Sequence, residues 1–322
     1  MKKFLAAVVA VTTALALTAC GSSASSTQQP AANSEKVYKI GVLQLTQHAA
    51  LDKCNEGFFA ALDEAGIKYE ADQQNAAGEQ SACQTIAEKL VNDGNDLIYA
   101  IATPAAQAVA GVTTEIPVVV SAVTDPAESG LVASNDAPGG NVTGTSDLTP
   151  VKEQIQLLKQ VLPEAKKVGI LYCSAESNSE IQAEMARQAC KDNGLESIDF
   201  TVSNSNEIQT VVESMVGKVD AIYAPTDNTI ANGMATVSMV ATDNNLPIIC
   251  GESGMVDAGG LATYGIDYYK LGYMAGQMAI QILVDGKDPA TMPIGYLSID
   301  QCELSVNKAT AEALKIDVSK LQ

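Results

Sequence analysis

Short apolar runs alternate along the chain with segments in which apolar residues recur at helical spacing. Residues 37–45 form a β-rich run, and the apolar positions of 50–65 then follow a helical period that ends at Gly66. The alternation continues, with helices predicted at 81–92 and 104–113 and strands at 96–101 and 116–122. Strands that alternate with helices predict an α/β fold with a parallel, doubly wound sheet.

The second half of the chain repeats the first in the same order. The run KIGVL at 39–43 is echoed by KVGIL at 167–171, and DLIYA at 96–100 is echoed by DAIYA at 220–224. A third pair consists of IPVV at 116–119 and LPII at 246–249. Three matches in one order, at nearly equal spacing, predict two similar doubly wound parallel-sheet lobes.

The two predicted lobes are connected where the pattern passes from one to the other. Crossings are expected at 139–141 together with 148–152, at 261–267, and at 289–293. Two similar lobes with several connections form a multi-strand hinge. We therefore divide the chain into a signal peptide at 1–19, a lipidated tether at 20–35, lobe 1 at 36–146 plus 266–290, and lobe 2 at 147–265 plus 291–322.

The N-terminus has the features of an export signal. Lys2 and Lys3 precede an apolar segment at 4–17 that is too short to span a membrane, and small residues lead to Cys20. This site resembles the bacterial lipoprotein box, in which the cysteine is diacylated, and two acyl chains hold a protein at a membrane lastingly. An ordinary secretory signal with a nearby cysteine is the alternative. The folded body is expected outside the cytoplasm, anchored to the cell membrane through Cys20 and a flexible tether.

Composition and charge exclude several function classes. The formal net charge is −19 at pH 7, and such a surface repels nucleic acid, which excludes nucleic-acid binding. His48 is the only histidine and C-x-x-C is absent, so no metal site is expected. The chain also has no G-x-S-x-G or Walker motif, so we expect neither an enzyme nor a cofactor.

Six cysteines follow Cys20, an even number for a protein outside the cytoplasm, where disulfides persist. Cys54 and Cys83 each fall near the start of a predicted helix of lobe 1 and form the favoured pair. Free thiols in a reducing niche are nearly as well supported, because the sequence does not choose among the possible pairings.

Polar and turn-forming residues follow the predicted strands in both lobes. Ligands bind at the carboxyl ends of strands in open parallel sheets, so two lobes that face each other predict a binding cleft between these residues. The candidate ligand-binding residues of lobe 1 are Gln44, His48, Thr103, Pro104, Ala105, Ala122, Thr124 and Asp125. Those of lobe 2 are Glu176, Ser177, Asn178, Thr226, Asp227, Asn228 and Glu252, and Asp267 and Tyr268 adjoin the second crossing.

The charges among these candidates suit a zwitterion. Thr103, as an N-cap followed by Pro104 at the first helical position, can present hydroxyl and N–H groups to a carboxylate. Asp227 and Glu252 have no basic neighbour in sequence and can pair with an ammonium group. Each of the three is equally interpretable as an ordinary helix cap, and His48 as a solvated loop residue. Together they predict an amino-acid ligand.

Several runs resemble the ABC-transporter substrate-binding lipoproteins that include tryptophan- and tyrosine-binding members. They are GVLQL at 41–45, AALD at 49–52, IATPAAQ at 101–107, SAVTDP at 121–126, PGGNVTG at 138–144, PTDN at 225–228 and ATYG at 262–265. The resemblance covers residues 38–313 and implies a type I periplasmic-binding fold, an aromatic amino acid as ligand, and a membrane permease with an ATPase as partners. The sequence TQHA at 46–49 and the cysteines Cys54 and Cys83 depart from the family pattern.

Two other functions fit the same fold. A surface sensor or adhesin cannot be separated from a transport receptor by sequence. A sugar or nucleoside receptor is the rival ligand class, although the chain has no Trp and only 4% aromatic residues, whereas sugar sites usually present aromatic platforms. The same scarcity means that the aromatic ligand follows from the resemblance. A monomer is expected.

Overall fold

The first half of the chain builds one open sheet with helices on both faces. The computed structural model describes residues 36–321, so the predicted signal peptide, Cys20 and the tether lie outside the described residues. The elements of this half are β1 (Val37–Gln44), α1 (Ala49–Glu64), β2 (Lys68–Asn75), α2 (Gln80–Asn92), β3 (Leu97–Ile101), α3 (Thr103–Ala110), β4 (Val118–Val123) and β5 (Val142–Ser146). The five strands are parallel in the order β2-β1-β3-β4-β5.

The second half builds a sheet of the same kind. Its first elements are α4 (Val151–Val161), β6 (Lys167–Cys173), α5 (Ser177–Asp192), β7 (Glu196–Val202), α6 (Ile208–Met215), β8 (Ala221–Ala224), α7 (Asn228–Asn232) and α8 (Met234–Asp243). They are followed by β9 (Ile248–Cys250), α9 (Ser253–Asp257), β10 (Ala262–Gly265), α10 (Tyr268–Leu283), β11 (Glu303–Val306) and α11 (Lys308–Ala313). Short 3₁₀ turns lie at Ser205–Glu207, Pro289–Thr291 and Ile299–Gln301.

The two sheets have the same strand order, which confirms the predicted fold class. The second sheet runs β7-β6-β8-β9-β10, equivalent strand by strand to the first, with β11 added antiparallel beside β10. The central strands are fully buried because helices cover both faces of each sheet, and for this reason they read as continuous apolar runs. The duplication in the sequence is therefore a duplication of architecture.

Each sheet has its own hydrophobic core. The first core joins the strands of the first sheet to α1 and α10, with Phe58 stacked on Tyr99 at a ring-centroid distance of 3.9 Å. The second sheet is packed on one face by α4, α5 and α11 and on the other by α6 and α8. Helix α10 therefore belongs to the first lobe, although it follows β10 of the second sheet.

The chain crosses between the lobes three times. The first crossing follows β5 at residues 147–150, and the second lies between β10 and α10 at 266–267. Residues 291–295 were predicted to lie in lobe 2, but Met292 belongs to the first core and Gly295 hydrogen-bonds to the Gly144 carbonyl of β5. The third crossing therefore follows Gly295 and leads into β11, later than the sequence predicts.

The cysteines in the described part of the chain are free thiols. Cys54 lies on α1 against the backbone of α10, whereas Cys83 lies on α2, and both are buried without a disulfide. The favoured Cys54–Cys83 pair is therefore wrong, because each thiol fills a packed position under its own helix. Across residues 36–321 no helix is at once long and apolar enough to cross a membrane.

Helices α1 and α10 pack so closely that two positions of their contact have no space for a side chain. A Cβ atom at Gly272 would overlap the backbone of Cys54, and one at Gly57 would overlap the backbone of Tyr269. Neither position has the open space that a Cβ atom needs. The glycines thus fix how α10, the helix that follows the second crossing, sits on the first lobe.

We expect Gly272→Ala to lower the free energy of unfolding by about 1 to 3 kcal/mol, because the new methyl group forces the helices apart. The measurement is denaturant unfolding followed by circular dichroism. Gly140→Ala is the matched control, since an added Cβ meets no atom there, and it should change stability by less than about 0.5 kcal/mol. Equal stability of the two variants would contradict the close packing.

Candidate functional site

A narrow cavity lies between the two lobes, where the carboxyl ends of both sheets face each other. Residues of the first lobe, the second lobe and the crossings surround this cavity. Its lining consists of His48, Ala50, Leu51, Ala122, Thr124, Asp147, Asn178, Thr226, Asp227, Asn228, Ala231, Glu252 and Tyr268. The position is the one expected for a ligand site in open parallel sheets.

The first lobe contributes the end of β4 and the start of α1. Strand β4 is bulged between Val120 and Val123, and Ala122 has a left-handed backbone with φ 55°. Such a bulge re-aims the end of a strand, and here Ala122 and Thr124 both line the cavity. Ala50 and Leu51, in the first turn of α1, lie beside them.

The second lobe contributes a buried network around Asp227. One oxygen of this carboxylate accepts from Ile230 N at 2.7 Å, and the other accepts from Cys173 N at 2.6 Å and Ser179 Oγ at 2.7 Å. Burial raises the pKa of Asp227 to about 7, and the nearby charge of Glu176 adds to the rise. Both oxygens of Asp227 thus hold the lobe's own loops together.

Glu176 and Glu252 are also committed to backbone groups. Glu176 accepts from Thr229 N at 2.9 Å and from the Asn228 side-chain amide at 2.6 Å. Glu252 caps α9 by accepting from Gly254 N and Met255 N, and burial raises its pKa to about 7. The predicted cap role of Glu252 is therefore observed directly.

Asp147 lies on the first crossing and differs from the other acids. Its Oδ2 accepts a hydrogen bond from the Tyr268 hydroxyl at 2.9 Å, whereas its Oδ1 has no hydrogen-bond partner anywhere in residues 36–321. Burial raises the pKa of Asp147 to about 6, although the Tyr268 and Thr124 hydroxyls oppose that rise. Asn178 Oδ1 and Thr226 Oγ1, which line the same cavity, are likewise buried and unpaired within the described residues.

Four hydrogen bonds hold the two lobes together around the cavity. His48 Nε2 is 3.2 Å from Asn228 Oδ1, and Gln182 donates to Thr124 Oγ1 at 3.1 Å. Farther out, Gln80 donates to the Ala175 carbonyl at 2.7 Å and Gln107 to Ser177 Oγ at 3.2 Å. Burial lowers the pKa of His48 despite its Asn228 contact and the charges of Glu176 and Asp52. The lobes are therefore closed on each other.

The structure brings nine of the predicted site residues to the cavity. These are His48, Ala122, Thr124, Asn178, Thr226, Asp227, Asn228, Glu252 and Tyr268. Pro104 and Glu176 line a neighbouring opening of the cleft that Asn228 also borders. Asp267 caps α10 beside Tyr268 at the second crossing.

The other predicted residues lie outside the cavity lining. Gln44 donates to Asp52 Oδ1 at 2.7 Å, and Asp125 accepts from Ala127 N within its own loop. Ser177 takes part in the bond between lobes described above. Thr103 and Ala105 are buried in α3, where Thr103 is the first helical residue, and the predicted N-cap position belongs to Ala102 with φ 83°.

Sequence reasoning missed four of the residues that line the cavity: Ala50, Leu51, Asp147 and Ala231. Asp147 directly follows β5. Residues that follow a strand are site candidates, so Asp147 becomes one once 142–146 is recognised as a strand. The alanines carry no chemical signal in the sequence. No lysine or arginine is present among the described residues of the lining.

Comparisons with known proteins agree with this architecture. Residues 39–320 match the family model described as ABC transporter substrate binding protein. A tyrosine-binding protein of Clostridioides difficile strain R20291 is 43% identical over 99% of this chain and 94% of its own.

Two solved structures of relatives differ in their ligand state. An ABC domain in complex with L-Trp from Streptococcus pneumonia is 40% identical, with a TM-score of 0.85 over 88% of this chain and 96% of that one. The ligand-free, open structure of a substrate-binding protein with adhesive properties from Clostridium difficile is 41% identical, with a TM-score of 0.67 over 87% and 96%. The lower score at nearly equal identity fits the closed lobes seen here.

The sequence match is nearly end to end, and the paired sheets, the three crossings and the cavity between the lobes supply the architecture that goes with it. The chain therefore belongs to the ABC transporter substrate-binding protein family and has the type I periplasmic-binding fold.

Proposed function

We propose that this protein is the receptor of an ABC importer and binds an aromatic amino acid, tyrosine or tryptophan first, between its closed lobes. The observation that carries the proposal is the cavity itself, which contains buried, unpaired oxygens of Asp147, Asn178 and Thr226 and lacks a basic residue in its described lining. Buried polar groups without partners are costly, so a ligand with hydrogen-bond donors stabilises the closed form. The ammonium group of an amino acid supplies such donors.

The ligand's carboxylate has a place at the start of α1. A helix N-terminus presents free N–H groups and a partial positive charge, and both favour an anion. Within the described chain, the His48 side chain does not cap α1 but contacts Asn228 of the other lobe. Ala50 and Leu51, the next residues, line the cavity, so their end of the helix faces the ligand.

The ligand's ring has a place among small side chains. Ala50, Ala122 and Ala231 come from three different elements and all line the cavity. The alanine side chains present apolar surface, and a ring buried against it would stabilise binding roughly in proportion to the buried area. Relatives named for tyrosine binding and crystallised with L-Trp support this ligand class.

The remaining parts of the proposal concern location and partners. Cys20 would carry the lipid that anchors the receptor outside the cytoplasm, and the tether at 20–35 would let it reach a permease with its cytoplasmic ATPase. The receptor acts as a monomer without a cofactor or catalysis, because capture requires only that the lobes close and open. Adhesion is a second candidate, since a relative at 41% identity is described as having adhesive properties.

Purified protein without its lipid should be stabilised by L-tyrosine, L-tryptophan or L-phenylalanine, because each binds the folded cleft and not the unfolded chain. At about 100 times the dissociation constant the gain is about 2.7 kcal/mol. Thermal unfolding and calorimetry provide the measurement, with glucose and a nucleoside as controls. Stabilisation by a control, and by none of the three amino acids, would contradict the proposed ligand class.

Ala231→Phe should weaken binding of L-tyrosine about 10-fold or more, because the added ring fills the space among the alanines. Ala235→Phe introduces the same ring one helix later, at an exposed position, and serves as the control. Both variants are compared by calorimetry. Equal affinities for the ligand would show that Ala231 does not border the bound ring.

A further inference from the structure

Three buried carboxylates line the cavity, and they are not equivalent. Asp227 uses both oxygens to bind Cys173, Ser179 and Ile230, and Glu252 uses both to cap α9. A ligand ammonium group at either acid would have to share oxygens that already accept hydrogen bonds from the protein's own N–H and O–H groups. Asp147 is different, because one of its oxygens is already oriented and the other is unpaired in the part of the chain described.

The unpaired Asp147 oxygen has two companions on the opposite wall. Asn178 donates through its Nδ2 to Glu176, Ser179 and the Thr226 carbonyl, which fixes the orientation of the amide and leaves its Oδ1 without a partner in residues 36–321. The Thr226 hydroxyl oxygen is also unpaired there. An ammonium group has three N–H donors, and the cavity offers three unpaired oxygens from two different walls.

We infer that Asp147 binds the ammonium group of the ligand, with Asn178 and Thr226 accepting its other two hydrogens and Tyr268 orienting the carboxylate as a positioning residue. The inference rests on the proposed function and replaces Asp227 and Glu252 as the predicted amine partners. Asp147 and Tyr268 are held on the first lobe, whereas Asn178 and Thr226 belong to the second, so one ammonium group would bridge the two lobes. The ligand class is thereby narrowed to amines that carry a positive charge.

The test compares two ligands on the Asp147→Asn variant. L-Tyrosine has the ammonium group, and 3-(4-hydroxyphenyl)propionate lacks it while keeping the ring and the carboxylate. The substitution keeps the shape of Asp147 and an acceptor for Tyr268 but removes the charge. We expect it to weaken binding of L-tyrosine about 30-fold or more, since it leaves a buried ammonium group unpaired, and to change binding of the analogue less than about 3-fold.

Two further variants keep the test decisive. Asp227→Asn should change the affinity for both ligands by the same factor, because Asp227 supports the lobe and does not touch the ammonium group. Tyr268→Phe leaves Asp147 in place but unoriented, so a loss confined to L-tyrosine, about 3- to 10-fold, is expected. Circular dichroism shows whether Asp147→Asn folds. If it does not, Tyr268→Phe still tests whether Asp147 binds the ammonium group.

The outcomes separate this inference from the proposed function. If the wild-type protein binds no aromatic amino acid, the proposed function fails. If it binds L-tyrosine, the inference is overturned by equal losses for both ligands in Asp147→Asn and Tyr268→Phe, or by a loss specific to L-tyrosine in Asp227→Asn. Wild-type affinities that are equal for L-tyrosine and the analogue also overturn it.

The pH dependence of L-tyrosine affinity distinguishes a charge contact of Asp147 from a purely structural role, because only the charge contact depends on ionisation of Asp147. Burial raises the pKa of Asp147 to about 6, and this carboxyl faces the Tyr268 and Thr124 hydroxyls, Glu252 and the Cys54 thiol. An ammonium group attracts only the ionised carboxylate, so affinity is full above this pKa and falls below it. We expect calorimetry to show wild-type affinity for L-tyrosine falling about 10-fold from pH 7 to pH 5.

Asp147→Asn removes the titrating group and should flatten this profile, leaving the smaller contributions of Asp227 and Glu252. An unchanged profile in the variant would show that the decline belongs to another acid and would overturn the assignment to Asp147.

Discussion

The hydrogen bond from Tyr268 to Asp147 joins two of the three crossings at the wall of the cavity, and the site depends on this contact. One partner follows β5 of the first sheet, and the other begins α10 after β10 of the second sheet. Both partners are anchored on the first lobe, because Asp147 N donates to the Val123 carbonyl and Tyr268 packs in the first core. In our proposal, an ammonium group bound by Asp147 on the first lobe and by Asn178 and Thr226 on the second would favour the closed arrangement of the lobes.

Closure of the lobes is a balance of modest interactions. The bonds between lobes join neutral side chains and carbonyl groups, such as Gln182 with Thr124 and Gln80 with Ala175. Each hydrogen bond of this kind stabilises the closed form by about 0.5 to 1.5 kcal/mol. The closed form also buries unpaired oxygens, and their lost hydration offsets part of this stabilisation. A ligand that pairs those oxygens shifts the balance toward closure. Weak contacts between lobes and strong contacts to the ligand are what a reversible receptor needs.

The sequence predicts the buried parts of this fold best. Strands β1 and β6 contain the matching runs KIGVL and KVGIL, and from such matches the duplication and the fold class could be predicted. Strand β2 lies at a sheet edge with alternate residues exposed, so its polar sequence KYEADQQN gives a weak strand signal. The sequence predicts the third crossing too early, because nothing in residues 291–295 indicates that Gly295 pairs with β5.

The site could be predicted only in outline. Strand ends identify His48, Asn178 and Asp227, but a sequence does not show which carboxylate oxygens the protein already uses. Asp227 and Glu252 are committed to backbone groups, and only the folded arrangement shows that Asp147 is not. A crystal structure with bound L-tyrosine tests the central claim most directly. The account predicts the ligand's nitrogen within about 3.2 Å of Asp147 Oδ1, with both lobes in contact with the ligand. A ligand nitrogen at Asp227 or Glu252, or a ligand outside the cavity, would contradict it.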